Sequence, residues 1–184
     1  MKRFFVLILA ILSLNLCFAQ SQQRENLKKD VYYLSSDALE GREVGSVGNS
    51  LARAYICEQL NQANVSHYIQ EFDFNDGKNV VAEIRAEKPL YNPEYIVIGA
   101  HYDHLGIRNN KVYNGADDNA SGSAMLLQLA RLLNANSDKI NRHIILIWFD
   151  AEEIGLFGSK TFVENPMFVD TLSDIKLMIN LDMV

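Results

Sequence analysis

Two aspartates stand side by side, Asp117 and Asp118, in the glycine-bounded stretch Asn114–Gly122 (NGADDNASG), just ahead of an apolar helical run. Carboxylates that close repel, so a cation is expected between them. No Lys or Arg lies between Lys111 and Arg131, which leaves a basic partner from elsewhere in the fold or a metal ion. A metal is favoured by three further ligand-rich stretches: His101-Tyr102-Asp103-His104 before the pair, and Asp150-Ala151-Glu152-Glu153 and Asn180-Leu181-Asp182 after it. The set implies a two-zinc site that activates water for hydrolysis.

Zinc accepts imidazole nitrogen and carboxylate oxygen and, in catalysis, keeps one position open for water. Two ions about 3.5–4 Å apart need a carboxylate between them and separate ligands on either side. His101, Asp118, Glu153 and Asp182 supply one imidazole and three carboxylates, a mixture that suits Zn²⁺ better than Ca²⁺ or Mg²⁺, which prefer oxygen alone. Asp103, two residues after His101, is placed to receive the other imidazole N–H and fix the tautomer. Glu152 and Glu153 are neighbours, and in an extended segment neighbouring side chains point to opposite sides. One can bind metal while the other is the general base, taking a proton from the attacking water and passing it to the leaving amine. Amide hydrolysis is the chemistry this predicts.

The elements around these groups must carry them to one place. Gln22–Leu34 is a helix candidate, followed by the glycine-rich loop Glu40–Gly48. Asn49–Ala63 reads as an amphipathic helix with Leu51, Ala54, Tyr55, Cys57 and Leu60 on its inner face. Val65–Phe74 alternates as a strand does, and Asp76-Gly77 signals a hairpin into a strand at Asn79–Arg85. After Asn92-Pro93 come short apolar strands at Tyr95–Ala100, His143–Phe149 and Ile175–Leu181, alternating with helices at Ser121–Leu133 and Leu156–Val163. Such strands, apolar on both faces, predict a three-layer α/β/α sandwich with a mostly parallel central sheet, made mixed by the N-terminal hairpin. His101, Glu152, Glu153 and Asp182 then all fall at carboxyl ends of strands, where open α/β sheets bind their ligands.

The strings HYDHLG (His101–Gly106), GADDNASG (Gly115–Gly122), DAEEIGLFGS (Asp150–Ser159) and NLDM (Asn180–Met183), in that order and spacing, resemble peptidase family M28, the secreted aminopeptidases with two co-catalytic zincs. The likeness runs from about Leu34 to the end of the chain. It implies a zinc-exopeptidase fold of the phosphorylase/hydrolase-like type and removal of residues from peptide N-termini. Position by position, it implies that Asp118 bridges the ions, that His101 and Asp182 complete one zinc, that Glu153 belongs to the other, and that Glu152 is the base, with Asp103 supporting the catalysis. Asp117 is not a ligand in that pattern and supports the loop. A cis peptide bond at Asp118–Asn119 is also implied.

The family's last ligand is a histidine well beyond the NLD strand, and no histidine follows His143 here. The expectation is therefore the N-terminal portion of a single zinc peptidase domain (20–184), inactive as written because Glu153's zinc lacks one ligand. A glutaminyl cyclase of the same fold is the alternative enzyme, although cyclases tend to depart from GADDNASG and EEIGLFGS, both intact here. A carboxypeptidase of the family is a third reading, and a non-catalytic binding module is the reading from another class.

At 184 residues, 48% of them apolar and 22% charged, the composition suits one domain with a core rather than disorder or a coiled coil. Lys2 and Arg3 ahead of the apolar run Phe4–Leu12, and small residues before a cleavage point after Ala19, read as a secretory signal peptide over 1–19. That predicts a secreted, periplasmic or extracellular protein without stable membrane insertion. Loss of Lys2 and Arg3 takes two from 17 basic residues against 23 acidic, moving the formal charge from −6 to −8. Nucleic acid is thereby excluded as a partner, and peptides are the expected substrates. Cys57 would be the one cysteine left, a buried core thiol. His104 is read as a hydrogen-bonded loop residue, His67 and His143 as structural, Ser121 as an N-cap, and Glu40-Gly41-Arg42 as a salt-bridged turn.

Overall fold

The computed structural model describes residues 20–91 and 93–184; the leader read over 1–19 and Asn92 lie outside the described residues. Helices are α1 (20–34), α2 (Val47–Gln62), α3 (Gly122–Asn134) and α4 (Phe157–Glu164). Strands are β1 (His67–Glu71), β2 (Lys78–Ile84), β3 (Tyr95–His101), β4 (Gly106–Arg108), β5 (Lys111–Tyr113), β6 (His143–Phe149) and β7 (Ile175–Asn180).

The run HIILIWF of β6 is branched and aromatic throughout, which suits a strand covered on both faces, and it lies at the centre of the sheet order β1-β2-β6-β3-β7. Its side chains alternate. Ile144, Leu146 and Trp148 join Ala52, Ile56 and Leu60 of α2 and Leu126 and Leu127 of α3, while Ile145, Ile147 and Phe149 join Phe162 of α4 and Val169. Burial of each such side chain contributes about 1.5–3 kcal/mol, so the two faces together fix the three layers. β3 is parallel to both β6 and β7, whereas β2 is antiparallel to β1 and β6. Only β2 therefore runs against the rest, and the sheet is mixed and mostly parallel, as expected.

Local details differ from the sequence reading for identifiable reasons. α2 begins two residues early because the Ser46 hydroxyl accepts from Asn49 N at 3.0 Å and caps it. Its buried face holds Asn49, Ala52, Tyr55, Ile56, Gln59 and Leu60; Leu51 and Ala54 are exposed and Cys57 is half-buried. Apolar spacing alone misjudged that face because Asn49 and Gln59 go inward to polar partners, Asn49 Nδ2 donating to Asp150 Oδ1 at 2.8 Å and Gln59 Oε1 accepting from Arg131 Nη2 at 2.9 Å. Burial pushes the Cys57 thiol pKa up, which keeps it unreactive. β7 was expected to be buried on both faces, yet Leu177, Met178 and Ile179 are 40–50% exposed. Among the described residues β7 pairs with β3 alone and is an edge strand. The β4–β5 hairpin was not foreseen; its turn residues Asn109 and Asn110 both take positive φ, 51° and 61°, as two-residue hairpins require. No helix among the described residues is long and apolar enough to cross a membrane.

The cap at Ser46 yields a first prediction. Ser46→Ala should lower stability by about 0.5–2 kcal/mol, read as an earlier urea midpoint with an unchanged denaturant slope.

Candidate metal centre

β3 and β6 are paired in register up to their last residues, His101 opposite Phe149, and β7 ends at Asn180 two residues before Asp182. Three neighbouring strands thus end together, and the turn into α3 brings Asp118 to the same rim. His101 is 3% exposed, and its carbonyl accepts from Ser123 Oγ at 2.8 Å, which ties the first turn of α3 to the end of β3. The His101 Nε2 lies 3.1 Å from Asp118 Oδ1 and 3.6 Å from Asp182 Oδ1. One ligand atom each from His101, Asp118 and Glu153 all lie within 4.8 Å of one another. Three of the four residues expected to hold metal thus converge, and the fourth, Asp182, joins them through the His101 imidazole.

Asp103 is almost fully buried, and its position agrees only in part with expectation. Its carboxylate Oδ1 is 3.6 Å from His101 Nδ1, and the same ring nitrogen is 3.2 Å from the Asp103 carbonyl. The carboxylate mainly accepts backbone bonds, Oδ1 from Glu152 N at 3.1 Å and Oδ2 from Glu153 N at 3.3 Å. Those two glutamates do diverge, but not because the segment is extended. Ala151 takes φ 56°, and Glu152 O accepts from Gly155 N and Leu156 N at 3.0 Å each, so the chain curls into a turn as it leaves β6. Glu152 then lines a cavity of about 210 Å³ with His101, Phe149, Leu156, Ser159, Met178 and Asn180. Glu153 faces His101 and Asp118 instead.

The Asp118–Asn119 peptide bond is cis, as the family resemblance implied. Asn119, which sequence reasoning passed over, is fully buried and stitches the loop to the end of β7. Its Oδ1 accepts from Gly122 N (3.0 Å) and Met183 N (3.3 Å), and its Nδ2 donates to Leu181 O (2.8 Å). A Cβ at Gly122 would stand 2.4 Å from Leu181 O, so only glycine permits this approach. Ser121 is not the N-cap: it has helical φ/ψ, and its hydroxyl donates to Asp117 O at 2.7 Å, while Asn119 takes the Gly122 N–H. Asp117 is exposed and supports the loop through that carbonyl.

Electrostatics at the rim are dominated by carboxylates. Burial pulls the His101 pKa down, but the Asp103 hydrogen bond and the charges of Asp103, Glu152 and Asp118 outweigh it and hold the pKa at about 9. The position therefore favours positive charge. Imidazole nitrogen with carboxylate oxygens at these spacings is a donor set that fits zinc. His104, expected only to hydrogen-bond within a polar loop, is buried with Nδ1 2.5 Å from Glu153 Oε1. His67 and His143 stay structural, near Val65 O and Ala86 N at 3.1 and 3.2 Å. Asp150, the other acid of its stretch, turns inward to Asn49 Nδ2, Lys78 N and Tyr102 Oη. Arg42 is no salt-bridged turn: it is 1% exposed and all its guanidinium bonds go to carbonyls. A buried side chain whose partners are backbone leaves no spacing signal in a sequence.

Layer order and strand order define an α/β fold, with a carboxylate-imidazole cluster at the strand ends. A crystallised Zn-dependent exopeptidase from Parabacteroides distasonis shares the fold with a TM-score of 0.71 at 21% identity, covering 87% of this chain and 61% of its own. A Bacteroides thetaiotaomicron glutaminyl cyclase bound to N-acetylhistamine does so with a TM-score of 0.70 at 21% identity, covering 87% and 61%. The chain belongs to peptidase family M28, whose sequence profile matches residues 79–184. Aminopeptidase YwaD of Bacillus subtilis is 33% identical over 117 residues, 63% of this chain and 24% of that protein. The chain spans about half or less of the length of the curated relatives it matches.

Proposed function

We propose that this chain is the N-terminal portion (20–184) of a secreted, zinc-dependent aminopeptidase domain that cleaves the N-terminal bond of peptides. The observation that carries this reading is the convergence of His101, Asp118 and Glu153 within 4.8 Å, with Asp182 on the same imidazole. Two zinc ions would be held, Asp118 between them, His101 and Asp182 on one and Glu153 on the other. When bound, zinc supplies Lewis acidity, lowering the pKa of a water to about 7 and polarising a carbonyl.

The protein groups do the rest. Glu152 accepts a proton from the attacking water and delivers it to the leaving amine. Burial raises the Glu152 pKa, His101 opposes this, and Asp103, Glu153 and Asp182 add to it, which suits a base that must also release its proton. Asp103 fixes the turn that carries both glutamates through their backbone N–H groups, and its carboxylate lies 3.6 Å from the His101 ring. The signal peptide read over 1–19 supports export.

The cyclase neighbour makes one comparison necessary. Zinc-loaded intact protein should release amine from a leucine anilide and no ammonia from an N-terminal glutamine peptide. Ammonia release would transfer the assignment to a glutaminyl cyclase, and no zinc uptake with neither product would leave a binding module.

A further inference from the structure

Buried arginines ordinarily pair with a carboxylate; among the described residues the Arg42 guanidinium bonds only to backbone carbonyls. Its Nε donates to Tyr102 O at 2.8 Å, Nη1 to Asn114 O at 2.7 Å and to Leu34 O, and Nη2 to Gly115 O at 3.0 Å. Its own carbonyl accepts from His104 N at 3.2 Å and Asn49 Nδ2 at 3.4 Å. Tyr102 sits between His101 and Asp103, and Asn114-Gly115 leads into Asp118. One rigid planar group therefore spans both loops that bring His101 and Asp118 together.

The backbone that aims it is unusual. Glu40, Gly41 and Arg42 have φ of 50°, 74° and 54°, the left-handed region that residues with side chains rarely adopt. Gly41 lies so close to the β4–β5 hairpin that a Cβ would meet Gly106 O at 2.5 Å and Tyr113 O at 2.6 Å. Burial lowers the Arg42 pKa to about 10, against the pull of Asp103, Asp118 and Glu153, and the group stays charged at neutral pH.

From this geometry we infer that Arg42 is a positioning residue, whose guanidinium sets the separation of the His101–Asp103 and Asn114–Asp118 loops so that His101 and Asp118 can share metal. The inference rests on the metal reading above. Lysine keeps the charge but cannot span both loops from a single ammonium.

The test is zinc titration of the intact protein, wild type against Arg42→Lys and Arg42→Ala, with Leu60→Ala as a control that weakens the core away from the rim. Both Arg42 variants should bind zinc about 10–100-fold more weakly, and the visible spectrum of bound Co²⁺ should change. Low millimolar guanidinium should restore zinc affinity to Arg42→Ala but leave Leu60→Ala unaltered. Leu60→Ala should melt earlier and keep wild-type affinity. If wild type takes up no zinc, the metal reading itself fails. If wild type binds and both Arg42 variants match it, or if neither folds even with guanidinium present, the positioning role is overturned.

Discussion

In the intact protein, Glu152→Gln is expected to keep its full complement of zinc while kcat falls by a factor of about 100 to 10,000. That range corresponds to about 3–5 kcal/mol of transition-state stabilisation. Glu152 lies against His101 in the small cavity at the strand ends, outside the cluster formed by His101, Asp118 and Glu153. Replacing its carboxylate by an isosteric amide removes the proton acceptor without replacing a proposed ligand. Glu153→Gln should behave in the opposite way and lose metal first. Metal analysis beside steady-state kinetics reads both, and a metal-free Glu152→Gln protein would show that the two glutamates have been given each other's roles.

A larger loss of metal is expected at Asp118, the carboxylate proposed to bridge the ions. In the intact protein, Asp118→Asn should bring zinc from about two ions per chain to fewer than one if Asp118 bridges them as proposed, because a bridging carboxylate serves both ions. Its exposed neighbour provides the control: Asp117→Asn, one residue away, should retain both zinc and activity. The same pair of variants separates by stability. A ligand that binds only the folded state adds about 2.7 kcal/mol at one hundred times its dissociation constant. Added zinc should therefore raise the melting temperature of wild type and Asp117→Asn and leave Asp118→Asn where it was. A zinc-dependent shift in Asp118→Asn equal to wild type would remove Asp118 from the site.

The sequence marked the acids and imidazole of the candidate site more clearly than the residues that brace them. His101, Asp118, Glu153 and Asp182, which gather at the rim, could be singled out because acids and an imidazole following apolar strands are costly unless a cation joins them. Asn119 and Arg42 were not. Each acts on backbone groups, and which carbonyl an amide or guanidinium will meet depends on loops from distant parts of the chain. The inner face of α2 was misjudged for a related reason, since Asn49 and Gln59 are buried by the partners they find at Asp150 and Arg131. The curl after Ala151 was likewise invisible, because a non-glycine at positive φ carries no compositional signal.

The in-register pairing of β3 with β6, His101 level with Phe149, limits how such a chain can vary. Sliding β3 by one residue would swap its two faces, and sliding it by two would lift the imidazole by about 6.6 Å, at about 3.3 Å per residue. Either displacement exceeds the reach of a ligand atom. Length changes are therefore tolerable in the turns that enter the strands and ruinous inside them, so that drift in this lineage should accumulate at the edge of the sheet opposite the acids.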